Sequence, residues 1–259
     1  MKGRFSVVLL GLVFCLCVLA TLAQGVEGKP TLYFAQEFVV KPDKVDDFEI
    51  ILKETASLYA KHNLSYSYYV YSMDNYHYVA IFPINNYGDV DSMYSAFYEV
   101  FDKVGGEKIQ AMHKRHGDAI EYQKSYFLRY SPGLSYSSKN PRFKPEEANF
   151  MFMPNLYVKP GKESEFEEIC KEWVSLDTSV NRADSYDMFV GDIGTEMPFY
   201  FWVARAKSAA DFYRQQEVYG AKAGQKFMDL WNKTLALCRK YDEKTGLFRP
   251  DLSYIAMEK

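Results

Sequence analysis

A chain of 259 residues, 48% hydrophobic and 25% charged, can build one large core or two of ordinary size, and this excludes a disordered polypeptide. A formal charge of −3, with no run of Lys or Arg, excludes the electrostatic footprint of a nucleic-acid binder. Aromatics reach 17%, with 22 Tyr against 3 Trp, which points to pleated half-buried positions or a binding surface where a ring keeps a polar tip.

The chain opens with Lys2 and Arg4 ahead of an uncharged apolar stretch that ends at Thr21-x-Ala23. This reads as a secretory signal over residues 1–23. The competing reading is an uncleaved anchor, because Phe5 to Ala23 approaches the length that spans a bilayer. Cys15 and Cys17 follow Phe14 and Leu16, not the small residue that precedes a lipidated cysteine. Cleavage would remove two cations, taking the charge from −3 to −5. The expectation is a mildly acidic secreted or periplasmic protein with no membrane attachment. Export permits a disulfide between the remaining Cys170 and Cys238. Both occupy apolar positions, so they read as buried thiols or as a single bridge between two helices of the second half. Asn63-Leu-Ser and Asn232-Lys-Thr fit the glycosylation pattern.

"TLYFAQEFVV" (31–40) is strand-like, and "VKPDKVDDFEIILKE" (40–54) then opens a helix at Pro42, with Phe48, Ile51, Leu52 and Tyr59 forming an apolar stripe. "SYSYYVYSM" and "YHYVAIFP" flank Asp74-Asn75, a hairpin signal. A helical region from about Asp89 to His116 follows, and a last extended segment ends at "PGLSY" (132–136). The same order then returns. "NFMFMPNLYV" (149–158) precedes "VKPGKESEFEEICKE" (158–172), which matches its counterpart at nine of fifteen positions, 118 residues on. "PDLSY" (250–254) keeps that offset, as do Ser175-Leu176, Asn181, Ser185-Tyr186 and Asp192. "SYDMFVGD" and "FYFWVARA" replace the hairpin strands around a longer "IGTEMP" turn, and a helical region is expected from Ser208 to Tyr241. The offset slips where Val79-Ala80 is aligned with Val203-Ala204. The chain therefore reads as a tandem duplication, with units over 31–136 and 149–259 and a polar linker over 137–148. Each unit has the order β-α-β-β-α-β, and the fold class is α+β with two ferredoxin-like units.

A strand, then V-K-P-G-K-x-x-E-F-E-E opening a helix, then a hairpin and a second helical region resembles the dimeric α+β barrel superfamily. Its members include antibiotic-biosynthesis-monooxygenase-like, NIPSNAP-like and haem-degrading or haem-binding proteins. Residues 158–168 carry the motif, and residues 40–49 carry it with Asp43 in place of the glycine. The resemblance implies that two units pack into a barrel, here closed within one chain as a pseudo-dimer, so that the protein is a monomer.

Asymmetry between the units locates candidate sites. All four histidines (His62, His77, His113 and His116) lie in the first unit, against Val180, Phe201, Trp231 and Thr234 in the second. His113 and His116 share a helix face and could ligate a metal or haem iron, though "HKRHGD" also reads as a solvated face. Strand alternation puts His77 on the face of Val79 and Ile81, and Arg205 on the matching face of the second unit. A mid-strand arginine needs a carboxylate or a ligand anion, and Glu37 and Asn155 are the polar residues expected to face it. Glu37, His77, Asn155 and Arg205, with the recurring Tyr68 and Tyr186, could line a barrel pocket. The alternative is a satisfied polar cluster at the seam. No nucleophile-elbow, zinc-protease, P-loop, C-x-x-C or Rossmann pattern appears after the signal. The expected function is binding of a small apolar or aromatic molecule without a cofactor. A cofactor-independent monooxygenase-like or haem-handling enzyme is the alternative, and a pair of structural domains with a filled interior is the third.

Overall fold

The computed structural model describes residues 32–257, so the signal expected over residues 1–23 lies outside the described residues. The first half contains β1 (Leu32–Val40), α1 (Val45–Lys61), β2 (Tyr69–Met73), β3 (His77–Ile84), α2 (Asp89–Val104), α3 (Gly106–Ala119) and β4 (Ile120–Tyr130). The second repeats the series as β5 (Phe150–Val158), α4 (Glu163–Ser179), β6 (Tyr186–Gly191), β7 (Phe199–Ala206), α5 (Ala209–Ala223), α6 (Gln225–Leu237) and β8 (Cys238–Phe248).

Pro42 opens a single 3₁₀ turn before α1, where its missing N–H costs nothing. The predicted stripe then buries Phe48, Ile51 and Tyr59 in α1, and Phe166, Ile169, Cys170 and Leu176 in α4. Each second helical region is two helices, split at Gly105 (φ 98°) and Gly224 (φ 57°), left-handed positions that suit glycine. The last helix also stops earlier than the sequence suggests. Leu237 ends α6 and Cys238 begins β8, so the two cysteines are not on two helices. Both are free thiols, and burial raises their pKa values, that of Cys238 to about 11.

The eight strands close into one antiparallel barrel in the order β1-β3-β2-β8-β5-β7-β6-β4. The halves are joined at two seams, β2 with β8 and β4 with β6. This is the α+β barrel of two tandem ferredoxin-like units, closed within one chain. Matching bulges interrupt β1 against β4 at Val39/Val40 and β5 against β8 at Tyr157/Val158. Glu37 pairs with Val79 and Asn155 with Phe201, which makes Val79 the structural partner of Phe201 and His77 that of Phe199. The sequence alignment of Val79 with Val203 was therefore two residues out. An even slip leaves every side chain on its original face, so the face assignment is unaffected.

The repeated "LSY" motif has a structural cause. Each half ends in a short tail that crosses to the other half: Tyr136 bridges to Tyr186, and Tyr254 to Tyr68. The motif serine fixes each crossing, with Val70 N–H donating to Ser253 Oγ and Met188 N–H donating to Ser135 Oγ, at 2.9 and 2.8 Å. Arg249 adds a two-pronged ion pair to Glu49 on α1, whose second hydrogen bond is 2.7 Å long.

Inward-facing side chains of both halves form one apolar cluster that includes Tyr33, Ala35, Met73, Leu128, Met151 and Val203. The outward faces pack beneath the helices in separate clusters, centred on Phe48 in the first half and Phe166 in the second, each 0% exposed. Burying such a ring contributes about 1.5–3 kcal/mol.

Candidate functional site

The inward polar residues fall into two groups at different levels of the barrel. Glu37 is buried on β1; His77 Nδ1 lies 2.6 Å from its Oε1, while Tyr126 OH and Lys124 Nζ approach its Oε2 at 3.2 and 3.1 Å. Burial alone would raise the carboxyl pKa, but Lys124 and the hydrogen bonds from His77 and Lys124 outweigh it, and the pKa lies below the usual range. At the equivalent place in the second half, Asn155 Nδ2 donates to Asp242 Oδ1 at 2.6 Å.

Arg205 belongs to the other group. It pairs with Asp187 of the adjacent β6 at 2.6 Å and interacts with Tyr71, beside Tyr33 and Tyr130. Burial disfavours its charge, yet Asp187 and Tyr71 hold it firmly protonated. The expectation that Glu37 and Asn155 face Arg205 is thus corrected. Glu37 finds Lys124 and His77, Asn155 finds Asp242, and a nearer carboxylate satisfies Arg205. Nor do these four residues share one pocket. Arg205 borders a cavity of about 220 Å³ under the linker, with Ser138, Arg142 and Phe248, whereas Glu37, His77 and Asn155 are packed among barrel side chains.

Two aromatic-lined cavities lie outside the barrel wall, between sheet and helices, one in each half. The first, about 490 Å³, has Phe38, Tyr68, Tyr78 and Ala80 on its sheet side and Leu52, Thr55, Tyr94 and Phe101 on its helix side. His113 and His116 of α3 also line it. His116 sits against Phe38 and Phe48, with ring centroids 5.2 and 5.5 Å away, and His113 packs on Phe101 at 5.5 Å. Burial, with His113 nearby, lowers the His116 pKa, so its imidazole is neutral at pH 7. The second space, about 330 Å³, contains Trp173, Trp202 and Trp231 and the polar residues Asp177, Arg182 and Tyr219. Tyr68 and Tyr186, the candidates that recur in both halves, line the first and second cavity respectively.

Sequence reading missed the Asp177, Arg182 and Tyr219 group. At the 118-residue offset these positions hold Tyr59, Leu64 and Phe101, so the asymmetry is visible in the sequence, though less conspicuous than that of the histidines and Arg205. Asp187 and Lys124 were missed because a cross-strand neighbour is set by register, which the sequence does not display.

Among the described residues no group of three His, Cys, Asp or Glu could hold a metal ion, and no described helix is long and apolar enough to cross a membrane. The resemblance raises haem, and the first cavity offers a neutral imidazole. However, it has no Lys or Arg among its lining residues to meet two haem carboxylates. The lining fits an uncharged ligand and does not fit haem.

Neither a protein-family model nor a curated protein matches the chain. Solved structures do. An anthrone oxidase-like protein is 14% identical with a TM-score of 0.60, over 90% of this chain and 95% of that one. A mutant chlorite dismutase from Candidatus Nitrospira defluvii is 11% identical with a TM-score of 0.53, over 87% and 93%. A monooxygenase-like protein from Lactobacillus acidophilus NCFM is 9% identical with a TM-score of 0.52, over 89% and 100%. At such identities the likeness shows the fold alone. The chain has the architecture of the dimeric α+β barrel proteins.

Proposed function

We propose that this protein binds a small, uncharged, largely apolar molecule in the cavity between sheet and helices of its first half. The observation that carries this reading is the cavity itself: about 490 Å³, walled by aromatic and aliphatic side chains, with Gln36, Gln123, Thr55, the two imidazoles and tyrosine hydroxyls, that of Tyr68 unpaired, as its polar points. That size and make-up are typical of small-molecule sites. The apparent signal over residues 1–23 supports an exported setting, and a barrel closed within one chain supports a monomer.

N-phenyl-1-naphthylamine, an uncharged fluorophore, provides the test. Its emission should rise on binding. Thr55→Phe, which fills the first cavity from α1, should weaken that binding at least tenfold, and Gln216→Phe, in the second cavity, should not change it. Equal binding by wild type and Thr55→Phe would overturn the reading. Haemin added in parallel should give no Soret band. A band lost in His116→Ala would replace the proposal with haem binding.

A second reading rests on the neutral His116 imidazole facing the same cavity. Such a group can act as a general base, as cofactor-independent oxygenation of a bound aromatic would need. It predicts oxygen uptake with a substrate found by the binding test, and loss of that uptake in His116→Gln with binding retained.

A further inference from the structure

The first cavity leaves one buried hydroxyl, that of Tyr68, without a partner, whereas the second leaves a carboxylate oxygen and a hydroxyl together at one end. Asp177 is 0% exposed and Tyr219 5%, yet Asp177 Oδ2 and the Tyr219 hydroxyl have no hydrogen-bond partner in the protein. Both border the cavity. The other Asp177 oxygen lies 3.5 Å from Arg182, whose guanidinium rests over the Tyr219 ring at 4.5 Å and the Tyr186 ring at 5.3 Å. The charge at this end is therefore already balanced, and what it lacks is a hydrogen-bonding partner. Buried acceptors and hydroxyls are paired as a rule, and leaving one unmade costs the full desolvation of the group.

Most of the remaining wall is aromatic; Gln216 and Glu243 add polar groups, and Glu243 accepts a hydrogen bond from the Tyr241 hydroxyl. Trp173 is held by its Nε1–H donating to Thr234 Oγ1 at 2.9 Å, and Phe227 packs against it edge to face. Trp231 stands edge-on to both Trp202 and Tyr241. The first cavity is also aromatic, but Tyr59 and Leu64 occupy the positions of Asp177 and Arg182, so neither a carboxylate nor a guanidinium lines it.

We infer that the second cavity is a separate binding site for an uncharged planar aromatic molecule carrying an adjacent donor and acceptor on one edge, as a cyclic or primary amide does. The donor would meet Asp177 Oδ2, and the acceptor would take the Tyr219 hydroxyl proton. Burial and the adjacent Asp177 carboxylate raise the pKa of that hydroxyl, but the two groups are close without making a hydrogen bond of good geometry, so the proton is available to a ligand inserted between them. A site built to pair both groups should reject an isostere that lacks them.

The chain contains 3 Trp, and all of them line this cavity. Their indole N–H resonances therefore report on this site and not on the first-half cavity. Isoquinolin-1(2H)-one supplies the lactam edge, and naphthalene is the apolar control. The lactam should shift the indole signals saturably and bind about tenfold more tightly than naphthalene, roughly the worth of one or two net hydrogen bonds. Tyr219→Phe should abolish most of that preference while leaving naphthalene binding unchanged. Indole signals that stay fixed, equal affinity for the two compounds, or a preference that survives Tyr219→Phe would each overturn the proposal. The wild-type comparison decides the question even where the variant misfolds. A failure here leaves the first-half fluorophore test untouched.

Discussion

Where the first half places Tyr59 and Leu64 the second places Asp177 and Arg182, and where the first places His113 and His116 the second places Trp231 and Thr234. Both halves keep a cavity in the same layer, but their polar groups sit on different elements. In the first half the two imidazoles project from α3; in the second Asp177 and Arg182 sit at and just past the end of α4, with Tyr219 on α5. A duplicated fold can thus hold its backbone fixed while its two cavities acquire unlike chemistry. The barrel wall between them is built from both halves and cannot drift as freely.

The largest effect should come from breaking the second half's polar end. Arg182→Leu leaves the Asp177 carboxylate buried without its cation, and should cost about 3 kcal/mol by chemical denaturation. Adding Asp177→Tyr copies the first half at both positions and should recover most of that loss. If Arg182→Leu proves neutral, the difference between the halves is not energetic.

A smaller effect should mark the first half. The His116 pKa lies below its ordinary value of 6.5 because the ring is buried. About a pH unit above 6.5 neither folded nor unfolded chain carries the proton, and this contribution to stability is complete. Below it the unfolded chain takes up a proton that the folded chain resists, so stability falls with a limiting slope of about 1.4 kcal/mol per pH unit. His116→Thr, which copies Thr234, should flatten denaturation midpoints measured between pH 5 and 7. A slope unchanged in that variant would assign the dependence to other groups.

The smallest effect tests what the halves share. Arg115 reaches Glu54 at 2.8 Å, and Lys233 reaches Glu172 at 3.2 Å, equivalent bridges between equivalent helices. All four side chains are well exposed, so Arg115→Ala and Lys233→Ala should each cost under about 1 kcal/mol, and less in high salt. A loss of several kcal/mol in one half alone would show that the surfaces have diverged as far as the cavities.

Much of this architecture was legible because the repeat reports it twice. The paired Val-Lys-Pro helix openings, the hairpins and the "LSY" endings are local features, and local features survive in sequence. The face of His77 and Arg205 followed from strand alternation alone. What stayed hidden is contact between distant segments. That Arg205 meets Asp187 while Glu37 meets Lys124 depends on which strands adjoin and in what register. The cavities were misplaced for a similar reason. Sequence reading put the site inside the barrel, where Tyr33, Met73, Met151 and Val203 fill the space, while two aromatic-lined cavities lie under the helices, set by how helix and sheet are spaced.

The crossed tails also impose an order of events on synthesis. Tyr68 lines the first cavity, yet its backbone partner is Tyr254, and β2 gains its second neighbour only from β8. A chain emerging amino end first presents β2 as an open edge until β8 (Cys238–Phe248) has been made. The half that is translated first is therefore the half whose cavity wall is finished last. A stop codon at Tyr254 should strip the backbone partner of Tyr68 from a cavity encoded far upstream.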